Sequence, residues 1–143
     1  MTCSAAVTGL CALLFTQSPI IEGHPSAYDG DTLYFSNVSV RLYGIDAEEM
    51  DEKNGRAARD GLRFLIRTSK DVRCHPVGER SHGRIVANCF TSNGRSLNAE
   101  MVAMGLALDC PRYSNGLFSH LEPKGIRSRL KQKPYCVRNP LQL

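Results

Sequence analysis

Five ionisable side chains in this sequence have types and spacings that suit chemistry: Asp31, Arg41, Asp46, Glu49 and Arg84. Asp31 belongs to the stretch DGDT at 29–32 and Asp46 closes VRLYGID at 40–46. They stand at the two ends of an expected hairpin region, so strand pairing can bring their carboxylates together. Converging hard oxygen donors suit Ca²⁺ or Mg²⁺ rather than zinc or copper. Taken singly, an Asp at a turn usually serves the turn, its side chain bonding its own backbone. Arg41 lies between apolar Val40 and Leu42, where a guanidinium needs an anion. That anion is either a nearby carboxylate or a phosphate, whose oxygens match the guanidinium fork. Strict strand alternation would send Arg41 and Asp46 to opposite faces, but Gly44 between them is a bulge signal that resets the facing. Arg84 follows Gly83 and puts a second positive charge at the mouth of the apolar run IVANCF. Glu49 lies in a cluster formed by Asp46, Glu48, Glu49, Asp51 and Glu52, in a chain of net charge +4.

The elements that must position these groups are legible from periodicity. Leu33 to Phe35 and Val38 to Ile45 read as two strands of a hairpin, with Ser36 and Asn37 as the turn. The preceding IIEGHPSAYDGDT is a poorer strand, because Pro25 cannot donate to a ladder and belongs on an edge or at a bulge. Apolar positions 57, 58, 62, 65 and 66 predict a helix over 54–68 capped by Asn54, with Arg56, Arg59, Arg63 and Arg67 on its solvated face. DVRCHPV and GRIVANCF form a second strand pair joined by the polar GERSH. SLNAEMVAMGLAL predicts a helix begun by Ser96 or Asn98 and stopped at Gly105. From Cys110 onward Pro123 and Gly125 argue against a long regular helix. This order suits a five-stranded small barrel with a helix inserted between strands three and four.

At 143 residues the chain has the size of one domain with a single core, and no apolar run approaches the ~20 residues of a membrane span. Residues 1–18 carry no charged side chain and read as an export leader, though the basic n-region is missing and the cleavage site is poor; packing of this segment on the core is the other reading. The domain proper is then 19–143. Four cysteines follow the leader: Cys74, Cys89, Cys110 and Cys136. They permit three pairings, of which Cys74 with Cys89 and Cys110 with Cys136 is expected. Each bridge would contribute ~3 kcal/mol in the chain-entropy model and would suit a secreted or periplasmic location; four buried free thiols are the alternative. Lys124 to Arg138 holds six basic and no acidic residues, a pole that suits a polyanion or simply solubilises the tail.

DGDT, then VRLYGID followed by EE, then HGRIVANC, then LNAEMVAMGLA, in this order, resembles the staphylococcal-nuclease-like, or thermonuclease, family over about Tyr28 to Tyr113. The resemblance implies a five-stranded OB-fold barrel with helices, an α+β fold that hydrolyses phosphodiesters in DNA and RNA with Ca²⁺ and leaves 3′-phosphate ends. It also implies that Asp31, Asp46 and the Ala47 carbonyl hold the ion, that Glu49 orients or deprotonates the attacking water, and that Arg41 and Arg84 hold the phosphate. His82 and Tyr113 are then candidates for stacking on substrate, or else structural residues. A monomer is expected. Glu48 stands where the family usually has proline, which would loosen the turn carrying Glu49 and add charge beside the ion. His82 stands where it usually has tyrosine. A catalytically silent OB-fold that only binds nucleic acid is the rival reading.

Overall fold

The computed structural model of the chain describes residues 18–139; the expected leader therefore falls, except for Ser18, outside the described residues. Strands β1 (Ile21–Gly23) and β2 (Ser26–Ala27) come first, then β3 (Thr32–Tyr34), β4 (Ser39–Leu42) and β5 (Ile45–Asp46). Helix α1 (Gly55–Arg67) precedes β6 (Val72–Ser81) and β7 (Arg84–Thr91), and α2 (Leu97–Ala103), β8 (Leu108–Asp109) and α3 (Pro111–Ser114) follow. Three short 3₁₀ turns, Ser119–Leu121, Ile126–Ser128 and Pro134–Cys136, make up the tail.

Sheet order explains the shape. The main sheet runs β1-β6-β7-β4-β3-β2, with β4 parallel to β7 and the other pairs antiparallel. Its two edge strands are separated in the chain only by His24 and Pro25, so the sheet has to curl until its edges approach one another. Pro25, without an N–H, sits at the break between them. Six short strands are thus five, the first in two pieces, in the strand arrangement of an α+β OB-fold barrel.

Inside the curl lie Leu33, Val40 and Leu42 from the hairpin, Leu62 and Leu65 from α1, and Leu97, Met101 and Val102 from α2, all at most 2% exposed. Burying each of the larger side chains is worth about 1.5–3 kcal/mol. Cys74 and Cys89 face one another across β6 and β7 and are bonded. The second bond joins Cys110 to Cys136 and fastens the tail. Ser96 caps α2, its hydroxyl accepting from the Ala99 N–H. Asn98 is instead buried, accepting from the Cys89 N–H and donating to the Tyr43 carbonyl, so it ties α2 to the sheet.

Three expectations need correction. The strand predicted over Val38 to Ile45 stops at Leu42; Gly44, with φ of +72°, makes a turn rather than a bulge, and the chain enters a separate two-stranded sheet of β5 and β8. Asn54 stands at the N-cap of α1 but makes no side-chain capping bond. Its N–H donates instead to the Glu48 carboxylate at 2.6 Å. Glu48, expected to loosen the turn in place of proline and to add charge beside the ion, instead commits its carboxylate to the start of α1, where helix amides favour negative charge, and so ties the turn to the helix.

Candidate active site

Convergence of the candidate residues follows from sheet register. Thr32 of β3 lies opposite Arg41 of β4, and Arg41 pairs with Val86 of β7. Arg84, two residues before Val86, projects to the same face because strand side chains repeat with period two. The turn at Gly44 then folds Asp46 back toward Arg41 in place of the bulge expected from sequence.

The result is one polar network. Arg41 pairs through Nη1 with Asp31 Oδ2 at 3.1 Å and through Nη2 with Asp46 Oδ1 at 3.5 Å. Arg84 donates to the Thr32 hydroxyl at 3.1 Å, and that hydroxyl donates to Asp31 Oδ1 at 3.3 Å. The second Asp31 oxygen also accepts from the Ala47 N–H at 2.8 Å. Asp29 accepts from the Asp31 N–H at 3.0 Å, so the turn chemistry open to DGDT is used by Asp29, leaving Asp31 free to face the network. Tyr135, from the tail, donates to Asp46 Oδ1.

Charge in this network is poorly solvated. Asp29, Asp31 and Asp46 are each only 6% exposed. Burial pushes the Asp31 carboxyl up to about 7, against the opposing pull of Arg41 and with further upward pressure from Asp29. Burial also raises Asp46, offset by the bond from Tyr135 and by Arg41. Arg41 is held above its ordinary value: burial works against its charge, but Asp31 and Asp46 outweigh it. Tyr135 is raised by burial and by its bond to Asp46, so it stays a donor.

Glu49 is exposed at the rim of a cleft of about 490 Å³ that Arg41, Arg84, His82, Tyr113 and Tyr135 also line. Its carboxyl is raised by burial first and then by Asp29 and Asp46. No protein hydrogen bond engages that carboxylate among the described residues, whereas the Glu49 N–H donates to Glu52 Oε2 at 2.7 Å. Gly55 fixes the same loop by close approach: a Cβ there would lie 1.8 Å from the Glu49 carbonyl oxygen and 3.0 Å from the Met50 Cα. Gly55→Ala is therefore expected to displace the Glu49 loop, lowering the melting temperature through ~1–3 kcal/mol of overpacking. The same displacement should cut the turnover of any reaction that uses Glu49 by up to about 100-fold. Thermal melts and turnover measured on one preparation check both.

Residues 39–123 match the sequence profile of the staphylococcal nuclease homologue family. The chain belongs to that family. Among its relatives is the succinoglycan biosynthesis protein ExoI of Rhizobium meliloti, 31% identical over 125 residues that cover 77% of this chain and 65% of ExoI. An uncharacterized endonuclease of Escherichia coli is 30% identical over 90 residues, covering 60% of this chain and 58% of that protein. The chain thus spans about three fifths of the length of these curated relatives.

For a member of the staphylococcal nuclease homologue family, the donors that could hold a cation are Asp31, Asp46 and the Ala47 carbonyl. They fit one: buried carboxylates outnumber the single Arg41 charge between them, and all are hard oxygens. Among the described residues no three His, Cys, Asp or Glu side chains group closely enough to cage an ion by themselves, while Asp29 and Asp46 are near enough to Glu49 to raise its carboxyl. His82 is at the tip of the β6–β7 turn with φ of +50°, and Tyr113 is 43% exposed; both face the cleft, and neither joins the network. Sequence reasoning missed Asp29, Thr32, Glu52 and Tyr135. The first two lie inside DGDT, Glu52 lies in the acidic cluster, and Tyr135 adjoins Cys136, whose expected bridge pointed toward β8.

Proposed function

We propose that the chain is an endonuclease that hydrolyses phosphodiester bonds in DNA and RNA with little sequence preference, with Ca²⁺ held by Asp31, Asp46 and the Ala47 carbonyl. The observation that carries this reading is the linkage of both arginines to Asp31, Arg41 directly and Arg84 through Thr32, with unengaged Glu49 at the rim of the same cleft. A bound Ca²⁺ would offset the charge of the two aspartates and stabilise negative charge on the phosphoryl oxygens. Arg41 and Arg84 present guanidinium donors to those oxygens, where charge grows during in-line attack. Glu49 accepts a proton from the attacking water. The new bond joins water oxygen to phosphorus and the bond to O5′ breaks, leaving a 3′-phosphate and, once O5′ is protonated, a 5′-hydroxyl. His82 and Tyr113 offer flat faces to bases near the scissile bond. The two disulfides suit a secreted or periplasmic location, with residues 1–18 as the export leader, and we take the chain to act as a monomer.

Plasmid DNA and RNA incubated with the protein should be cut in Ca²⁺, cut less in Mg²⁺, and spared in chelator, with products that carry 3′-phosphate. Cleavage that ignores chelator would remove the ion from the proposal. Binding without cleavage in every condition would favour the silent barrel.

A further inference from the structure

We infer that Tyr135, on its disulfide-anchored turn, is a positioning residue for the ion site, holding the Asp46 carboxylate in the orientation that a cation needs. The inference rests on the reading that Asp31 and Asp46 hold the ion. Tyr135 and Asp46 are 89 residues apart in the chain, yet the phenol donates to Asp46 Oδ1. What joins them is one small sheet and one disulfide. Asp46 lies on β5, which pairs with β8 through Asp46 opposite Leu108 and Ile45 opposite Asp109. Cys110 follows β8 directly, donates its N–H to the Gly44 carbonyl at 2.9 Å, and is bonded to Cys136, the neighbour of Tyr135. The bridge therefore staples the donor to the same small sheet that carries the acceptor. Gln132 adds a bond to the Asp109 carbonyl at 2.9 Å.

The turn also reaches the other half of the site. Lys133 pairs with Glu52, whose Oε2 accepts from the Glu49 N–H. One short segment, Lys133 to Cys136, thus braces both the carboxylate proposed to bind the ion and the loop proposed to supply the base. A tail of 3₁₀ turns has few internal bonds to hold this register alone, so its position depends on the Cys110–Cys136 bond. Hydrogen bonds of this kind orient ligating groups, and their loss typically costs 10- to 100-fold in metal affinity.

The test is calorimetric titration of the full oxidised chain with Ca²⁺, comparing wild type, Tyr135→Phe, the Cys110→Ser/Cys136→Ser pair, the triple variant and Asp31→Asn. Tyr135→Phe removes one hydroxyl and leaves the bridge and the ring in place. It is expected to weaken Ca²⁺ binding about 10- to 100-fold; wild type should also show a tyrosine ultraviolet difference signal on adding Ca²⁺, and the variant should lack the part that comes from Tyr135. The cysteine pair should weaken binding by at least as much, and adding Tyr135→Phe to it should cost nothing further, because the two act in series. Wild-type or tighter affinity in Tyr135→Phe would overturn the inference, the tighter result meaning that the phenol obstructs the ion. If Asp31→Asn abolishes binding while Tyr135→Phe does not change it, only this inference fails. If wild type binds no Ca²⁺, or Asp31→Asn binds it equally well, the site reading fails and takes the inference with it.

Discussion

Glu49→Gln is expected to lower kcat on single-stranded DNA about 10²- to 10⁴-fold, the range for loss of a positioned proton acceptor, while Ca²⁺ affinity and melting temperature stay close to wild type. Glutamine keeps the size of the side chain but cannot take a proton from water. Stability should be spared because the Glu49 carboxylate engages no protein donor among the described residues; the loop is held through its backbone by Glu52 and by the close approach of Gly55. Burial, Asp29 and Asp46 raise the Glu49 carboxyl above its ordinary 4.5. A base works only when deprotonated, so kcat/KM should fall on an acid limb as pH drops through the Glu49 titration; burial moves that limb up, and raising the Ca²⁺ concentration should move it down. That limb should vanish in Glu49→Gln. Steady-state rates across pH, beside thermal melts, check all three statements, and a variant that cuts at wild-type rate would strip Glu49 of its role.

How much of this was legible beforehand depends on whether the determining contacts are local. The β3–β4 hairpin, the β6–β7 pair and both longer helices follow from alternation, apolar spacing and a serine cap, all read within one segment. Gly44 announced that the facing of Arg41 and Asp46 would change, but not how. With φ of +72° it turns the chain, and the Cys110 N–H bonds its carbonyl from 66 positions later. Strands β5 and β8 hold two residues each and have no period to detect; they exist because each finds the other. Arg41 illustrates a different limit. Its two candidate partners, carboxylate and phosphate, were both reasonable from sequence, and the fold supplies the first by placing Asp31 and Asp46 on either side of the guanidinium. Glu48 misled because a carboxylate beside other carboxylates suggests the same target, whereas the amide of Asn54 at the start of α1 competes for it and wins. Tyr135 was out of reach for pattern reasoning, since nothing near it in sequence carries the charge it serves.

Arg41→Ala should show that the partner the fold supplies and the partner catalysis needs share one guanidinium. In chelator the variant is expected to lose about 3–5 kcal/mol at neutral pH, the cost of leaving buried charge without its partner, because Asp31 and Asp46 are each 6% exposed in wild type and among the described residues no other arginine pairs with them. The sign of the pH dependence is set by Asp31, which burial raises from 3.8 to about 7 even with Arg41 present, so the folded chain binds that proton more tightly than the unfolded one. Stability is therefore greatest below pH 3.8 as far as this group is concerned, and falls as pH rises through 7. Without Arg41 the folded carboxyl should hold its proton to still higher pH, so the fall should continue above pH 7 and the gap between variant and wild type should widen there. Adding Ca²⁺ should return part of the lost stability by mass action, since a ligand that binds only the folded state stabilises it. Activity should not return with it: even in saturating Ca²⁺, turnover is expected to remain about 10²- to 10³-fold down, the usual loss when one donor aimed at the developing charge is removed. Arg41→Lys separates the two duties. Its ammonium can still neutralise the aspartates, but it lacks the fork that grips two oxygens at once, so it should recover more stability than rate. Equal recovery of both would mean that Arg41 serves only as a counterion and that the phosphate is held elsewhere.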